Sequence, residues 1–377
     1  MFNTILGYFS YDIGIDLGTA NTLVAVKGKG IVINEPSVVA YNKTNKQVIA
    51  VGAEAKRMVG KTPANIVAAR PLKDGVISDL EATEKMLEYF IKIIHKTSGG
   101  IPKIPRPRAV IGIPSGITEV EQRAVIKAAK SAGVRKVYLI EEPMAAAIGC
   151  NLNVETPEGN MIIDIGGGTT EIAVISLGGI VVNKSLRVGG DKMDEAIINY
   201  VKNRFNVLLG ERRAEEAKLA IGDVWEGRDL LNNLNALKKD SVNNKNKAGS
   251  SILPLGEKNV TEQRMYYEVR GRNLKTGLPE VIRLTKLDMI QALKESVEAI
   301  LESIRLALED TPPELISDVL VNGIYLAGGG AYLNGLNSLI FSNTGISVNI
   351  PEDPELAVVR GTMKLLDDID LLELVQV

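Results

Sequence analysis

Two stretches of the chain place a carboxylate, a glycine turn and hydroxyl groups in the same order: IGIDLGTANTLVAV from Ile13 to Val26, and MIIDIGGGTTEIAV from Met161 to Val174. Laid over one another they match Asp16 with Asp164, Gly18 with Gly166, Asn21 with Thr169, Thr22 with Thr170 and Val24 with Ile172, always 148 positions apart. Glycine lets a backbone approach an anion closely, and successive N–H groups in such a turn form an anion-binding concavity. If the two copies face each other, their natural guest is a triphosphate. Asp16 and Asp164 would then hold hydrated Mg2+ through its waters, a hard cation that prefers oxygen.

Each copy reads as an apolar strand ending at its Asp, a turn, and a second β-branched strand, which is a hairpin. A dinucleotide fold or a P-loop needs Gly-x-Gly-x-x-Gly or Gly-Lys-Ser/Thr running into a helix, and neither order occurs here. Around the hairpins, strand-like runs alternate with helical ones. AVIGIP at 109–114 leads into TEVEQRAVIKAAKSAG, and KVYLIEEP at 136–143 leads into MAAAIG, so the architecture is α/β. Thr118 and Glu121 have capping-box spacing, Gly133 is placed to stop the helix, and Val120, Ala124 and Ala128 are expected on one face. A third glycine cluster, GIYLAGGGAYLNGL from Gly323 to Leu336, predicts a strand before the glycines and a helix starting near Asn334 or Gly335. Its glycines serve either close approach of a ligand or tight strand-to-helix packing.

Length and composition leave room for two substantial domains: 377 residues, 45% hydrophobic and 24% charged. A net charge of −2 gives no electrostatic case for nucleic acid, and 4% aromatics leaves little for base stacking. With one cysteine and one histidine, neither an intramolecular disulfide nor a Cys/His metal cluster can be assembled. Cys150 is read as a packing residue and His95, at the end of a helical stretch, as a surface residue. The sequence has no apolar run of about 18 residues and no basic start with a cleavage site, so the chain is expected to stay inside the cell.

Three segments stand apart. Phe2, Ile5, Leu6 and Phe9 form one face of a short helix, which either lies in a membrane surface or packs on its own domain. In GGIPKIPRPR at 99–108, Ile101 and Ile104 are apolar residues on an irregular loop, the kind of tip that meets a partner. Residues 222–264, rich in Asn, Lys and Ser, read as a loop or disordered insertion, and the terminal LLDDIDLLELVQV as an acidic, apolar helix.

Together the doubled hairpin, IEEPMAAAIG at 140–149 and GGGAYLNGL resemble the actin, sugar-kinase and heat-shock chaperone ATPase superfamily. Within it the chain is most similar to the MreB family of bacterial actin-like proteins. KGKGIVINEPSVVA, GKTPANI, RPLKDGVI, DIGGGTTEIAVISLGGIV, GDKMDEAI, VRGRNL and TPPEL carry that resemblance over nearly the whole chain outside 222–264. It implies an actin-like ATPase fold, two ribonuclease-H-like domains around a nucleotide cleft, each with a smaller inserted subdomain. The expected boundaries are 1–149 plus 347–377 for domain I, with its small subdomain at about 36–70. Domain II is expected at 150–346, with its small subdomain at about 187–283.

The resemblance also implies residue roles. Asp16, Gly18, Thr19, Ala20 and Asn21 would hold phosphate and metal from one side, and Asp164, Gly166, Gly167 and Gly168 from the other. Glu142 would position the attacking water and Thr169 would lie near the γ-phosphate. Glu215, Glu216 and Lys218 would reach ribose and base, with Gly328, Gly329, Gly330 and Ala331 flooring the purine. The family shows Thr where this chain has Arg213. Subunits of the family stack head to tail and pair into antiparallel double filaments, with Val120 at the lateral contact, Ile101 and Ile104 in a membrane-dipping loop, and the first ten residues as a second anchor. The expected function is a slow, Mg2+-dependent ATPase that forms filaments on the inner face of the cytoplasmic membrane. It would work with transmembrane rod-complex and wall-synthesis proteins to keep cells rod-shaped. A paralogous actin for organelle or plasmid positioning, a chaperone-type ATPase and a small-molecule kinase are the alternatives.

Overall fold

The computed structural model describes residues 10–96, 106–225 and 266–377. The apolar residues Phe2, Ile5, Leu6, Phe9, Ile101 and Ile104 and nearly all of the 222–264 insertion lie outside the described residues. Contacts group the chain into two compact units. One runs through Gly190 and adds Glu302–Ala331 and Ile346–Val377; the other comprises Asp191–Leu301 and Tyr332–Gly345.

The first unit is built on two sheets of the same topology. In the first, β1 (Ile13–Leu17), β2 (Asn21–Val26) and β3 (Gly30–Pro36) form an antiparallel meander, and β4 (Arg108–Ile113) and β5 (Lys136–Glu141) add in parallel on the other side of β1, giving the order β5-β4-β1-β2-β3. In the second, β6 (Asn160–Ile165), β7 (Thr170–Ser176) and β8 (Gly179–Leu186) repeat the meander, with β9 (Ile324–Ala327) and β10 (Val348–Asn349) parallel beside β6. Both repeated phrases are therefore hairpins with no helix after the glycines. The inner strands are buried on both faces, which is why β4 and β6 read as continuous apolar runs rather than alternating ones.

Helices cover the sheets. In α1 (Leu80–Lys96), Met86, Leu87, Phe90, Ile91 and Ile94 face the core. His95 joins them, and here the sequence reading is corrected: the ring is buried, with Nδ1 2.7 Å from the Ile91 carbonyl and Nε2 accepting the Tyr11 N–H at 3.4 Å beside Ser10 Oγ at 3.3 Å. A terminal turn packed on the chain's entry to β1 buries what periodicity alone leaves outside.

In α2 (Glu119–Ser131) the capping box is complete, Glu121 accepting the Thr118 N–H at 2.7 Å and Thr118 Oγ1 accepting the Glu121 N–H at 3.3 Å. Gly133 follows with a φ of 105°. The expected face is corrected, because Val120 is 75% exposed while Ala128 is fully buried. Spacings of four drift round a helix of 3.6 residues per turn, and the core takes Val125, Ala128 and Ala129 instead.

Between the two sheets lie α3 (Glu142–Gly149) and α4 (Ala357–Asp367). One cluster joins Val110 and Ile140 of the first sheet, Ile162 and Ala173 of the second, and Ala145, Ala146, Val358 and Leu365 of these helices. The helices touch backbone to backbone: a Cβ on Gly149 would strike the Ala357 carbonyl, and one on Gly361 the Ala145 carbonyl. The acidic C-terminal segment is helical in two pieces, broken at Asp368, which caps Ile369–Val375 by accepting the Leu371 N–H at 3.0 Å.

A small sheet of Val39–Asn42, Val48–Val51 and Ile66–Ala69 also belongs to the first unit. The second unit holds the sheet Val207–Leu208, Tyr266–Asn273 and Pro279–Thr285, with helix Glu211–Ile221 against it. No helix among the described residues is long and apolar enough to cross a membrane.

Candidate functional site

Asp16 and Asp164 occupy the same place in their sheets, one residue before the end of the central strand, where β1 and β6 each turn into a hairpin. The first turn is fixed from behind. Ser37 Oγ donates to the Gly18 carbonyl at 2.6 Å and lies 2.8 Å from Thr22 Oγ1, and the Ser37 N–H donates to the Ala20 carbonyl at 2.9 Å. In the second turn the Gly166 N–H donates to the Thr169 carbonyl at 2.9 Å, the Gly190 N–H donates to the Gly166 carbonyl at 3.0 Å, and Thr170 Oγ1 donates to the Val188 carbonyl at 2.6 Å. Both turns are thus set before any ligand arrives.

The turns meet. A Cβ on Gly167 would lie 2.6 Å from that of Ala20, and one on Gly168 would lie 2.5 Å from Thr19 Oγ1, so glycine is required here by close approach. Between them they open a cavity of about 120 Å³, lined among others by Asp16, Gly18, Thr19, Ala20, Asn21, Glu142, Asp164, Gly166, Gly167, Gly168, Thr169, Gly328 and Gly329. The predicted phosphate, metal and catalytic residues are thus brought together, with Gly328 and Gly329 of the predicted purine floor beside them. Gly328 adopts a φ of 78°, and its bare Cα lets Asp164 and the Ile165 carbonyl crowd against it. Gly330 packs on Ile165 and Ala331 is buried beside it in chain; neither lines this cavity.

Glu215, Glu216 and Lys218 stand in the second unit on helix Glu211–Ile221. The Glu216 carboxylate is taken up by Arg212 at 2.9 Å and Arg213 at 2.6 Å, and Lys218 pairs with Asp194 at 2.9 Å.

Sequence reasoning passed over Gly75, Glu171 and Glu355. Gly75, with φ 80°, tips the small hairpin Leu72–Lys73 and Val76–Ile77; its N–H donates to Thr19 Oγ1 at 2.9 Å. The KDG turn pattern in RPLKDGVI was the available signal. Glu355 also borders the cavity. Glu171 sits on β7 directly opposite Asp164, 1% exposed, and accepts a 2.8 Å hydrogen bond from Ser185 Oγ.

Carboxyl groups crowd this end of the sheets, and their titration records it. Burial first and Asp164 second push Asp16 up to about 8, and burial pushes Asp164 up to about 7. Burial likewise raises Glu171 to about 7, and raises Glu142 well above the ordinary carboxylate range, helped by Asp16, Glu171 and Asp164. Such a site favours a compensating cation. Among the described residues no group of three or more His, Cys, Asp or Glu is set to cage a metal ion directly. The acidic pair Asp16 and Asp164 beside backbone-lined turns instead suits a hydrated divalent ion shared with an anionic ligand.

A family model described as MreB/Mbl protein matches residues 10–250 and 241–374 of the chain. The chain is 46% identical over 375 residues to the cell shape-determining protein MreB of Escherichia coli (strain K12), covering 98% of this chain and 97% of that one. To the cell shape-determining protein Mbl of Bacillus subtilis (strain 168) it is 44% identical over 364 residues, covering 97% and 98%. Crystal structures of MreB5 of Spiroplasma citri bound to ADP and to AMPPNP each superpose with a TM-score of 0.79 at 33% identity, covering 96% of this chain and 97% of the other.

Proposed function

The chain belongs to the MreB/Mbl family and has its actin-like ATPase fold, and from that premise we propose an ATP-dependent, membrane-associated filament protein that directs wall synthesis and maintains rod cell shape. The observation that carries the reading is the cavity where two copies of one hairpin turn meet over Asp16, Glu142 and Asp164, in a chain whose structural relative binds ADP and AMPPNP. Thr19, Ala20 and Asn21 from one turn and Gly166, Gly167 and Gly168 from the other hold the phosphates through backbone N–H groups. Asp16 and Asp164 would hold Mg2+, which would supply neutralisation of charge on the phosphates.

Phosphoryl transfer needs in-line placement more than covalent chemistry, and the chain's residues answer to that need. Glu142 opens α3 immediately after β5, so it is fixed by two elements while its carboxyl faces the cavity, where it orients the attacking water. Thr169, which lines the same cavity, serves the γ-phosphate. Glu215, Glu216 and Lys218 serve ribose and base, with Gly328 to Ala331 under the purine. In this reading 1–149 with 347–377 and 150–346 act as domains I and II.

Subunits join head to tail, a geometry that yields open filaments, and pair through the helix bearing the exposed Val120. Phe2, Ile5, Leu6, Phe9, Ile101 and Ile104 give weak lipid contacts that multiply along a polymer on the inner membrane face.

The test is phosphate release from Mg-ATP by the purified protein and by Glu142→Ala. The variant is expected to keep ATP binding and lose turnover by about 10²-fold or more. Turnover unchanged in the variant would remove Glu142 from the mechanism, and no turnover in the parent would remove the ATPase.

A further inference from the structure

GDKMDEAI places Asp191, Asp194 and Glu195 at the start of helix Gly190–Phe205, and of these acids Asp194 alone is buried. The buried side chains of that helix are Met193, Asp194, Ile197 and Val201, so Asp194 stands in the apolar stripe, where packing would choose a hydrophobic residue. On helix Glu211–Ile221 the buried set is Ala214, Ala217 and Ile221, and Lys218 lies four residues after Ala214 on the same side. The two charges meet. Lys218 Nζ is 2.9 Å from Asp194 Oδ1, with each side chain only 13% exposed, an ion pair between two helices of the second unit.

Packing does not call for such a pair. Burying it strips water from both charges, and apolar residues of similar volume commonly hold two helices as well or better. What the carboxylate does for a lysine is fix it, because the four-carbon stem has many rotamers and an opposite charge in a dry setting selects among them. The arginines of the same helix are placed differently: Arg212 and Arg213 are exposed and pair with Glu216 of their own helix. Burial pushes Asp194 up to about 6, with Lys218 opposing the rise and Glu215 and Asp191 adding to it. Above that pH both members of the pair are charged; below it Asp194 takes a proton and its hold on the ammonium lapses.

We propose that Asp194 is a positioning residue for the nucleotide, holding the Lys218 ammonium ordered in advance for the ribose and base. This rests on the reading above, in which Lys218 serves that end of the nucleotide. Asp194 touches no ligand itself, and acts through Lys218. A lysine ordered before the ligand arrives loses little rotamer freedom on binding.

Calorimetric titration with Mg-ATP and with Mg-tripolyphosphate tests it, in the parent, Asp194→Asn, Lys218→Met and the pair. Tripolyphosphate has no ribose or base, so the ratio of the two affinities reports that end alone and cancels the titration of Asp16, Asp164 and the phosphates. Each single variant is expected to lose roughly tenfold in the ratio, about the worth of one hydrogen bond from a charged group, with tripolyphosphate affinity changed less than about threefold. The pair is expected to bind no more weakly than Lys218→Met, because without the ammonium Asp194 has nothing to position. In the parent, with no substitution at all, the ratio is expected to fall by about threefold from pH 7.5 to pH 5.5 as Asp194 protonates, and to stay level in Asp194→Asn. A parental ratio in Asp194→Asn beside a lowered one in Lys218→Met, losses that multiply in the pair, or a level profile in the parent would overturn the proposal and leave ATP binding intact. A parental ratio in Lys218→Met would overturn the role of Lys218 along with it, and a parent that binds neither ligand would overturn the ATPase reading as well.

Discussion

Four carboxyl groups, Asp16, Glu142, Asp164 and Glu171, titrate far above their ordinary range at one end of the two sheets, chiefly because burial disfavours their charge. The sign of the consequence follows from proton counts. Unfolded carboxyls titrate near about 4, so between that value and the native values of about 7 and 8 the native state holds more protons than the unfolded state. The ligand-free protein is therefore destabilised as pH rises through that window, and little affected by these groups below it. Glu171→Gln removes one contributor. Relative to the parent, the variant is expected to gain on the order of 1–3 kcal/mol in stability between pH 5 and pH 8, read from urea unfolding at each pH. A difference between variant and parent that stays constant with pH would contradict the burial argument.

At the scale of elements, the position of Glu142 depends on how α3 meets α4. Gly149 and Gly361 allow the two backbones to touch, and a methyl at either would meet a carbonyl of the facing helix. Gly361→Ala is expected to destabilise by about 1–3 kcal/mol through overpacking and to lower turnover together with stability, because α3 carries Glu142 with it. Gly60→Ala is the control. Gly60 has a φ of 72° and open space around it, so the substitution is expected to cost only about 1 kcal/mol of backbone strain and to spare turnover. Circular-dichroism melts alongside phosphate release separate the two; equal effects would show that the crossing does not position the site. The sequence made the hairpins, the Thr118 capping box and the order of strand Ile324–Ala327, glycines and helix Leu336–Thr344 legible, because each is written in neighbouring residues. The helix crossing, the burial of His95 and the role of Gly75 were not, since each is decided by a segment far away in sequence. Glu171 was visible as a mismatch with Leu23 in the repeat, yet only strand register puts it beside Asp164.

For the whole molecule, the duplicated sheet explains why one cavity has two equivalent walls: each hairpin supplies one glycine turn and one Asp, and α3 and α4 tie the sheets into a common core. Under the proposed function, polymerisation would turn that ligand site into a membrane device, since weak apolar contacts summed along a filament bind where one subunit does not. Ile101→Glu with Ile104→Glu is accordingly expected to abolish co-sedimentation with anionic vesicles while ATP turnover stays parental; retained sedimentation would take those residues out of the lipid contact. The central claim is nucleotide-dependent assembly on lipid, and electron microscopy of negatively stained protein with anionic vesicles, with and without Mg-ATP, tests it most directly. The account predicts paired straight filaments on the vesicles only with nucleotide. ATP turnover accompanied by dispersed monomers would contradict it.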